Sequence, residues 1–262
     1  MIESTKNTTV KRVARLKQRA EREETGLALM EGPQVVRELL ASAAETVEEL
    51  YFTSDGFERH PDLAKAASDA GIDVEFASDA ALAAMADTRT PQGVLAVAHQ
   101  TPVRLRDLFE EGARLVVVLD DVRDPGNAGT IIRVADAAGA DAVILTGSSV
   151  DPYNPKVVRA TTGSLFHLRV ATRVPLGAAA DAVRGAGLAL LAADMHGEPL
   201  PGADLSGPTA WLFGNEAHGL SAAARALADR TVAVPIYGAA ESLNLGTAAA
   251  VCLYASAFRH RA

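Results

Sequence analysis

Apolar residues recur along this chain in two rhythms. Between residues 7 and 22, Val10, Val13 and Leu16 stand three apart among basic side chains, which predicts one amphipathic helix. Short apolar runs at 27–30, 49–53, 73–76 and 93–99 predict strands, and 33–44, 60–70 and 79–86 read as helices, with Pro33 at a permitted early helical position. From residue 113 the pattern becomes regular. Strand-like runs at 115–119, 142–146, 167–170, 188–192, 210–213 and 231–234 alternate with helical stretches near 128–138, 154–163, 176–185, 221–228 and 242–258. Such alternation predicts an α/β domain with a mostly parallel sheet covered by helices on both faces. The expected blocks are 1–100, a smaller α/β unit, then 101–112, a polar linker, then 113–262. No internal repeat is visible, and the Ala-rich stretches are helix formers.

Composition narrows the class. The 262 residues are 48% apolar, enough for an ordinary packed core. No run approaches the roughly 18 apolar residues of a membrane span. The start, Met1 to Asn7, leads into no apolar segment, so no secretory signal and a cytoplasmic location are expected. Cys252 is the single cysteine, which excludes an intrachain disulfide and any multi-cysteine metal site. It reads as a small buried hydrophobe.

Net charge is −8 and the pI about 5.3, which by itself argues weakly against nucleic acid. The distribution says more. Lys6, Lys11, Arg12, Arg15, Lys17, Arg19 and Arg22 face only Glu3 and Glu21 within residues 1–22, giving that segment +5 and the remainder −13. A localised basic face contacts phosphates while the body repels non-specific binding. A solvated surface helix fits the charges equally well.

Polar and glycine-rich segments follow the strand runs at 120–133, 212–220 and 234–246, and loops at strand ends are where open α/β sheets bind ligands. The first turns at Pro125 and Gly126 into a helix expected to start near Asn127, whose free N–H groups suit an anion. Arg133 lies between one and two turns further on, so that both residues lean toward a common region. The alternative is an Asn N-cap with a surface Arg. A dinucleotide fingerprint is a poor reading, because the Gly-x-Gly-x-x-Gly spacing is absent. In the second segment Gly214 and Gly219 frame Asn215, Glu216 and His218. Its backbone suits an adenine or ribose, or else it is a turn into a helix capped at Ser221. His218 has no second ligand at metal spacing and reads as a polar loop residue. In the third, Ser242 and Asn244 sit beside Glu241 at a helix start. They can bond a substrate hydroxyl or phosphate, or Ser242 merely caps. The set can grip a nucleotide-like cofactor, and it contains no metal cluster and no Cys or Ser–His nucleophile.

Taken in order, Asn127-x-Gly129-x-x-x-Arg133, Leu212-Phe-Gly-x-Glu216-x-x-Gly219-Leu and Val234-Pro-Ile followed by Glu-Ser242-Leu-Asn244-Leu resemble the motifs of the SpoU (TrmH-like) RNA ribose 2′-O-methyltransferases of the SPOUT superfamily. Pro155-Lys156-Val-Val-Arg159-Ala-Thr-Thr-Gly163 is similar too. Glu31-Gly32 and Thr90-Pro-Gln-Gly93 resemble that family's small substrate-binding domain, related to ribosomal-protein RNA binders. The resemblance covers nearly the full chain. It implies a catalytic domain with a deep trefoil knot, a homodimer with the active site at the subunit interface, S-adenosyl-L-methionine as cofactor and no metal. RNA is the implied partner, with large-subunit rRNA favoured over tRNA because a separate N-terminal domain is present. The alternatives are a tRNA or drug-resistance rRNA methyltransferase and a non-catalytic RNA-binding relative.

The resemblance also implies roles. Transfer to a ribose 2′-hydroxyl is an in-line displacement governed by placement. Arg133 lies nearest the hydroxyl. The family often assigns it as the general base. An Arg is effectively always protonated, so the preferred role is phosphate clamp and stabiliser of the forming oxyanion, with the base as the alternative. Asn127, Ser242 and Asn244 position ribose and phosphate, and Glu216 orients Asn127 or Arg133. Leu212, Gly214, Asn215, Gly219, Ile236, Ser242 and Leu245 hold the cofactor.

Overall fold

The computed structural model describes residues 1–110 and 112–261. Glu111, within the expected linker, and Ala262, at the end of the expected catalytic block, lie outside the described residues. In chain order the N-terminal elements are α1 (Thr8–Arg15), α2 (Arg19–Thr25), β1 (Leu27–Glu31), α3 (Pro33–Ser42), β2 (Val47–Phe52), α4 (Ser54–Arg59), α5 (Pro61–Asp69), β3 (Val74–Phe76), α6 (Asp79–Met85) and β4 (Val94–His99). There follow β5 (Leu115–Asp120), α7 (Pro125–Ala138), β6 (Ala142–Thr146), α8 (Pro155–Thr161), β7 (Arg169–Val174), α9 (Leu176–Gly185), β8 (Ala189–Pro199), β9 (Thr209–Phe213), α10 (Ala222–Leu227), β10 (Arg230–Ala233) and α11 (Leu245–His260).

Contacts divide the chain into two compact units, and the division is not contiguous. The first holds Met1–Thr101 together with Asp151–His167, the second Pro102–Val150 with Leu168–Ala262. The segment 151–167 was expected inside the C-terminal block. It groups with the first unit because polar anchors hold it there. The Arg22 guanidinium donates to Asp151 at 2.6 and 2.9 Å. Arg159 pairs with Glu31 at 3.3 Å and Asp87 at 2.8 Å, and the Tyr153 hydroxyl accepts from the Thr101 amide at 2.8 Å. The expected linker also differs from a free tether. Leu108 is buried in the second unit's core, with Val103, Leu105 and Phe109 packed against it.

The first unit carries a four-stranded sheet in the order β1-β4-β2-β3, antiparallel except for the β2–β3 pair. The predicted stripe of Val10, Val13 and Leu16 is buried against Tyr51, Leu82, Met85 and Leu95. The single helix predicted over 7–22 is two, α1 and α2. Arg22, 1% exposed, donates from Nη1 to the carbonyls of Leu16 and Lys17 at 2.8 and 3.0 Å, and so satisfies the backbone at the break. Most of the basic residues of these helices have partners of their own. Arg12, Arg15, Arg19 and Arg22 are ion-paired to Glu49, Glu21, Glu23 and Asp151, and Lys17 donates to the carbonyls of Ala84 and Ala86. Among the described residues only Lys6 and Lys11 of that set lack an intrachain ion pair or side-chain hydrogen bond, so most of the local excess charge is already matched by carboxylates or spent on carbonyls.

The second unit carries a six-stranded parallel sheet in the order β10-β8-β9-β5-β6-β7, as the alternating pattern predicts. Residues 115–119, 142–146 and 209–213 are buried throughout, the signature of strands covered on both faces. From β5 the chain winds outward to β7, then returns to the other side of β5. The C-terminal ends of β5 and β9 are therefore a topological switch point, where open sheets leave a crevice. α11 packs behind them, tied to β9 by Trp211 Nε1 donating to Ser256 Oγ at 2.9 Å in the core.

Cys252 lies on the buried face of α11, and burial pushes its thiol pKa up to about 12. The thiol is therefore protonated at neutral pH and shielded. Ellman's reagent is expected to titrate one thiol per chain in denaturant and almost none in the native protein; a rapid native reaction would contradict this placement.

Candidate functional site

At the switch point the loop after β5 is held in an unusual shape. Asp121 has φ +57°, a left-handed conformation that a non-glycine residue keeps only when its surroundings demand it. Here Asn215 Nδ2 donates to the Asp121 carbonyl at 2.9 Å, and Asp121 Oδ1 accepts from the Ser148 amide at 3.1 Å. Asp124, followed by Pro125, is the N-cap of α7: its Oδ1 accepts from the Asn127 amide at 2.8 Å. The capping role considered for Asn127 thus belongs to Asp124, a pairing the Asp-Pro step signals in the sequence. The Asn127 side chain is left for other work.

That work links the three motif loops. Asn127 Nδ2 donates to Glu216 Oε1 at 3.4 Å, and Asn127 Oδ1 accepts from Asn244 Nδ2 at 2.9 Å. Glu216 also accepts from the amides of Arg123 and Asp124 at 3.3 and 3.1 Å. Its carboxylate sits where the positive end of α7 favours an anion. Asn244 is the N-cap of α11, with Oδ1 accepting from the Thr247 amide at 3.2 Å, so capping falls to Asn244 rather than Ser242. Ser221 caps α10, the alternative weighed for the 212–220 segment. Below this junction α7 and α11 approach closely at Gly246, where a Cβ would lie 2.9 Å from Thr130 Cγ2.

Arg133 is not joined to that network. It is exposed and makes no hydrogen bond or ion pair to another described residue. The reason is helical geometry. Positions six apart on a helix are about 120° out of phase, so Arg133 does not share Asn127's face.

Beside the network lies a cavity of ≈ 700 Å³, within the range of small-molecule sites. Its walls come from the 213–219 loop, the 232–236 stretch and residues 241–248. Of the expected cofactor residues, Asn215, Gly219, Ile236, Ser242 and Leu245 line it. Leu212 does not and is fully buried in β9. Gly214 does not line it either, yet shapes it. A Cβ there would fall 2.5 Å from the Gly219 carbonyl carbon and 2.6 Å from the Leu220 amide, so only glycine lets the strand end pass the returning loop. Residues not anticipated from the sequence line the cavity too: Ala193, Asp194, Met195 and His196 from β8, and Arg225 from α10. The predicted strand stopped at 192, whereas β8 runs to Pro199 with its pairing to β10 jumping from Ala192 to Glu198. Short-range periodicity carries no signal for such a bulge. Apolar Phe213, Ile236 and Leu245 with Glu216 and Glu241 make a lining suited to a nucleoside joined to a cationic group. Among the described residues no group of His, Cys, Asp and Glu is placed to hold a metal ion.

The model of the SpoU rRNA methylase family matches residues 114–254. The chain belongs to that family. A model of the MRM3-like substrate binding domain matches residues 7–96. Among relatives, the chain is 37% identical to 23S rRNA (guanosine(2553)-2′-O)-methyltransferase RlmP of Bacillus subtilis (strain 168), over 97% of each chain. Among solved structures, the AdoMet-bound rRNA methyltransferase from Sinorhizobium meliloti superposes with a TM-score of 0.86 at 32% identity, over 99% of this chain and 97% of that one. The SpoU methyltransferase AviRb from Streptomyces viridochromogenes, in complex with AdoMet, gives a TM-score of 0.84 at 32% identity, over 97% and 99%.

Proposed function

We propose that this chain methylates a ribose 2′-hydroxyl of 23S rRNA, using S-adenosyl-L-methionine. The observation that carries the reading is the junction of three loops through Glu216, Asn127 and Asn244 at 3.4 and 2.9 Å, beside a cavity of the size and lining the cofactor needs. The names of the relatives and the AdoMet complexes of similar structures support it.

Bound S-adenosyl-L-methionine supplies a methyl group made electrophilic by its sulfonium. The chain supplies placement and charge. Asn215, Gly219, Ile236, Ser242 and Leu245 line the cofactor cavity, with Leu212 and Gly214 fixing the strand end behind it. Asn127 and Asn244 hold the ribose edge, each with its amide orientation set by a partner. Glu216 fixes Asn127 and the α7 entrance. Arg133 supplies the unpaired cation, toward the phosphate and the developing oxyanion. Closing water out and holding hydroxyl and methyl in line is the main catalytic resource of such a site.

The N-terminal unit is the RNA substrate-binding part of this reading. A deep knot through the 212–246 loops and a homodimer with the site at its interface belong to it as the family implies. What supports the dimer is an apolar stripe of Val251, Tyr254 and Phe258 on α11, 39%, 37% and 69% exposed. Ile236 and Leu243 are also exposed beside the cavity. Among the described residues no helix is long and apolar enough to cross a membrane, and a cytoplasmic location goes with an rRNA substrate.

Methyl-labelled cofactor offered with unmodified 23S rRNA and, separately, bulk tRNA tests the reading. Label in the rRNA at one alkali-resistant linkage is the expected result. Label in tRNA alone would overturn the substrate, and no label despite cofactor binding would overturn the activity on free RNA.

A further inference from the structure

The β8 bulge forms one wall of the cavity, and one guanidinium holds it in place. Between Ala192 and Glu198 the strand leaves its pairing with β10. Residues 193–196 face the cavity, with Met195 66% exposed. Two devices shape the excursion. Gly197 closes it, where a Cβ would lie 2.5 Å from Thr231 backbone atoms. Asp194, its side chain only 9% exposed, opens it: Oδ1 accepts from the His196 amide at 3.0 Å.

The other Asp194 oxygen reaches across. Arg225 Nη1 donates to Asp194 Oδ2 at 3.0 Å and to the Leu220 carbonyl at 2.9 Å. Leu220 follows Gly219, whose carbonyl carbon and the Leu220 amide press on Gly214. One nitrogen on α10 therefore clasps two walls of the cavity: the β8 bulge and the end of the glycine-framed loop. Each bond is charge-assisted or made to a largely buried carbonyl, and such bonds are the stronger ones.

We propose that Arg225 and Asp194 are positioning residues for the cofactor, setting its affinity by holding the bulge against the 214–220 loop. The proposal rests on the reading that this cavity takes S-adenosyl-L-methionine. Arg225 itself need not touch the cofactor. Without the clasp the two walls separate, and binding must first restore them, so the loss appears in affinity more than in turnover. Asp194→Asn keeps the acceptor for the His196 amide but removes the charge, so its effect falls between wild type and Arg225→Ala. Arg225→Lys keeps the charge yet replaces the planar fork by a single point donor.

The test measures S-adenosyl-L-methionine binding by calorimetry and KM against kcat on 23S rRNA, for the full chain and the variants Arg225→Ala, Arg225→Lys and Asp194→Asn. The control is Arg184→Ala. Arg184 clamps the far end of α10 in the same manner, bonding Asp229 and the Leu227 carbonyl, and it does not line the cavity. For Arg225→Ala, Kd and KM for the cofactor are expected to rise about tenfold, the equivalent of one such bond, and by more than kcat falls. Asp194→Asn and Arg225→Lys should fall in between, and Arg184→Ala should leave Kd at the wild-type value whatever its melting temperature. An Arg225→Ala protein that binds the cofactor like wild type overturns the proposal. So does an Arg184→Ala protein that loses as much affinity, because the effect would then be general loosening. A wild-type chain that binds no S-adenosyl-L-methionine fails at the earlier step and removes the cofactor reading itself.

Discussion

Arg133→Ala is expected to lower methyl transfer by about 10²–10³-fold, the usual cost of removing one oxyanion-stabilising donor, with cofactor Kd and melting temperature at wild-type values. The structure gives this Arg no structural employment. It is exposed on α7 and bonded to no other described residue, whereas most arginines of the N-terminal helices are spent on carboxylates. A cation left unpaired on the helix that also carries Asn127 is available to a phosphate or a forming alkoxide. Permanent protonation suits that role and not proton abstraction. Arg133→Lys should recover part of the rate, since it keeps the charge without the fork. Single-turnover transfer at saturating cofactor is the measurement. A wild-type rate for Arg133→Ala would remove this residue from the mechanism.

Arg22→Ala is expected to cost about 3–5 kcal/mol of stability, the range for breaking a buried ion pair by deleting one partner. The Arg22 side chain is 2% exposed and that of Asp151 14%. Removal leaves the Asp151 carboxylate without its cation and the Leu16 and Lys17 carbonyls without their donor. It also detaches segment 151–167 from one of its anchors. Urea unfolding followed by circular dichroism checks the value against Arg19→Ala. Arg19 holds an exposed pair with Glu23 one turn on, of a kind worth about 0.3–0.5 kcal/mol. Equal midpoints for the two variants would show that the Arg22 cluster contributes nothing special. Because Arg22 is occupied in this way, it is a structural residue and not part of an RNA-steering face.

Much of this protein is determined by its sequence alone. The alternation after residue 113 specifies a parallel sheet, because strands covered on both faces must be largely apolar, and 115–119 and 142–145 are apolar throughout. The three motif loops were legible because each places glycine and polar residues just after a strand, and a strand end is where a parallel sheet has free backbone to offer. Val10, Val13 and Leu16 announced their burial by spacing. What the tertiary structure decided involves partners distant in the chain. What the Asn127 side chain bonds depends on where Glu216 and Asn244 arrive, 89 and 117 residues later. Arg22, which satisfies the break between the two helices of 7–22, is itself held by Asp151, 129 residues away. The β8 bulge, with Asp194 under Arg225, exists because β10 pairs with Glu198 beyond it, and local periodicity holds no trace of that. Local pattern specifies which elements form, since their backbone bonds and apolar faces lie within a few residues. Long-range closure specifies which polar side chains are spent on structure and which, like Arg133, have no partner among the described residues.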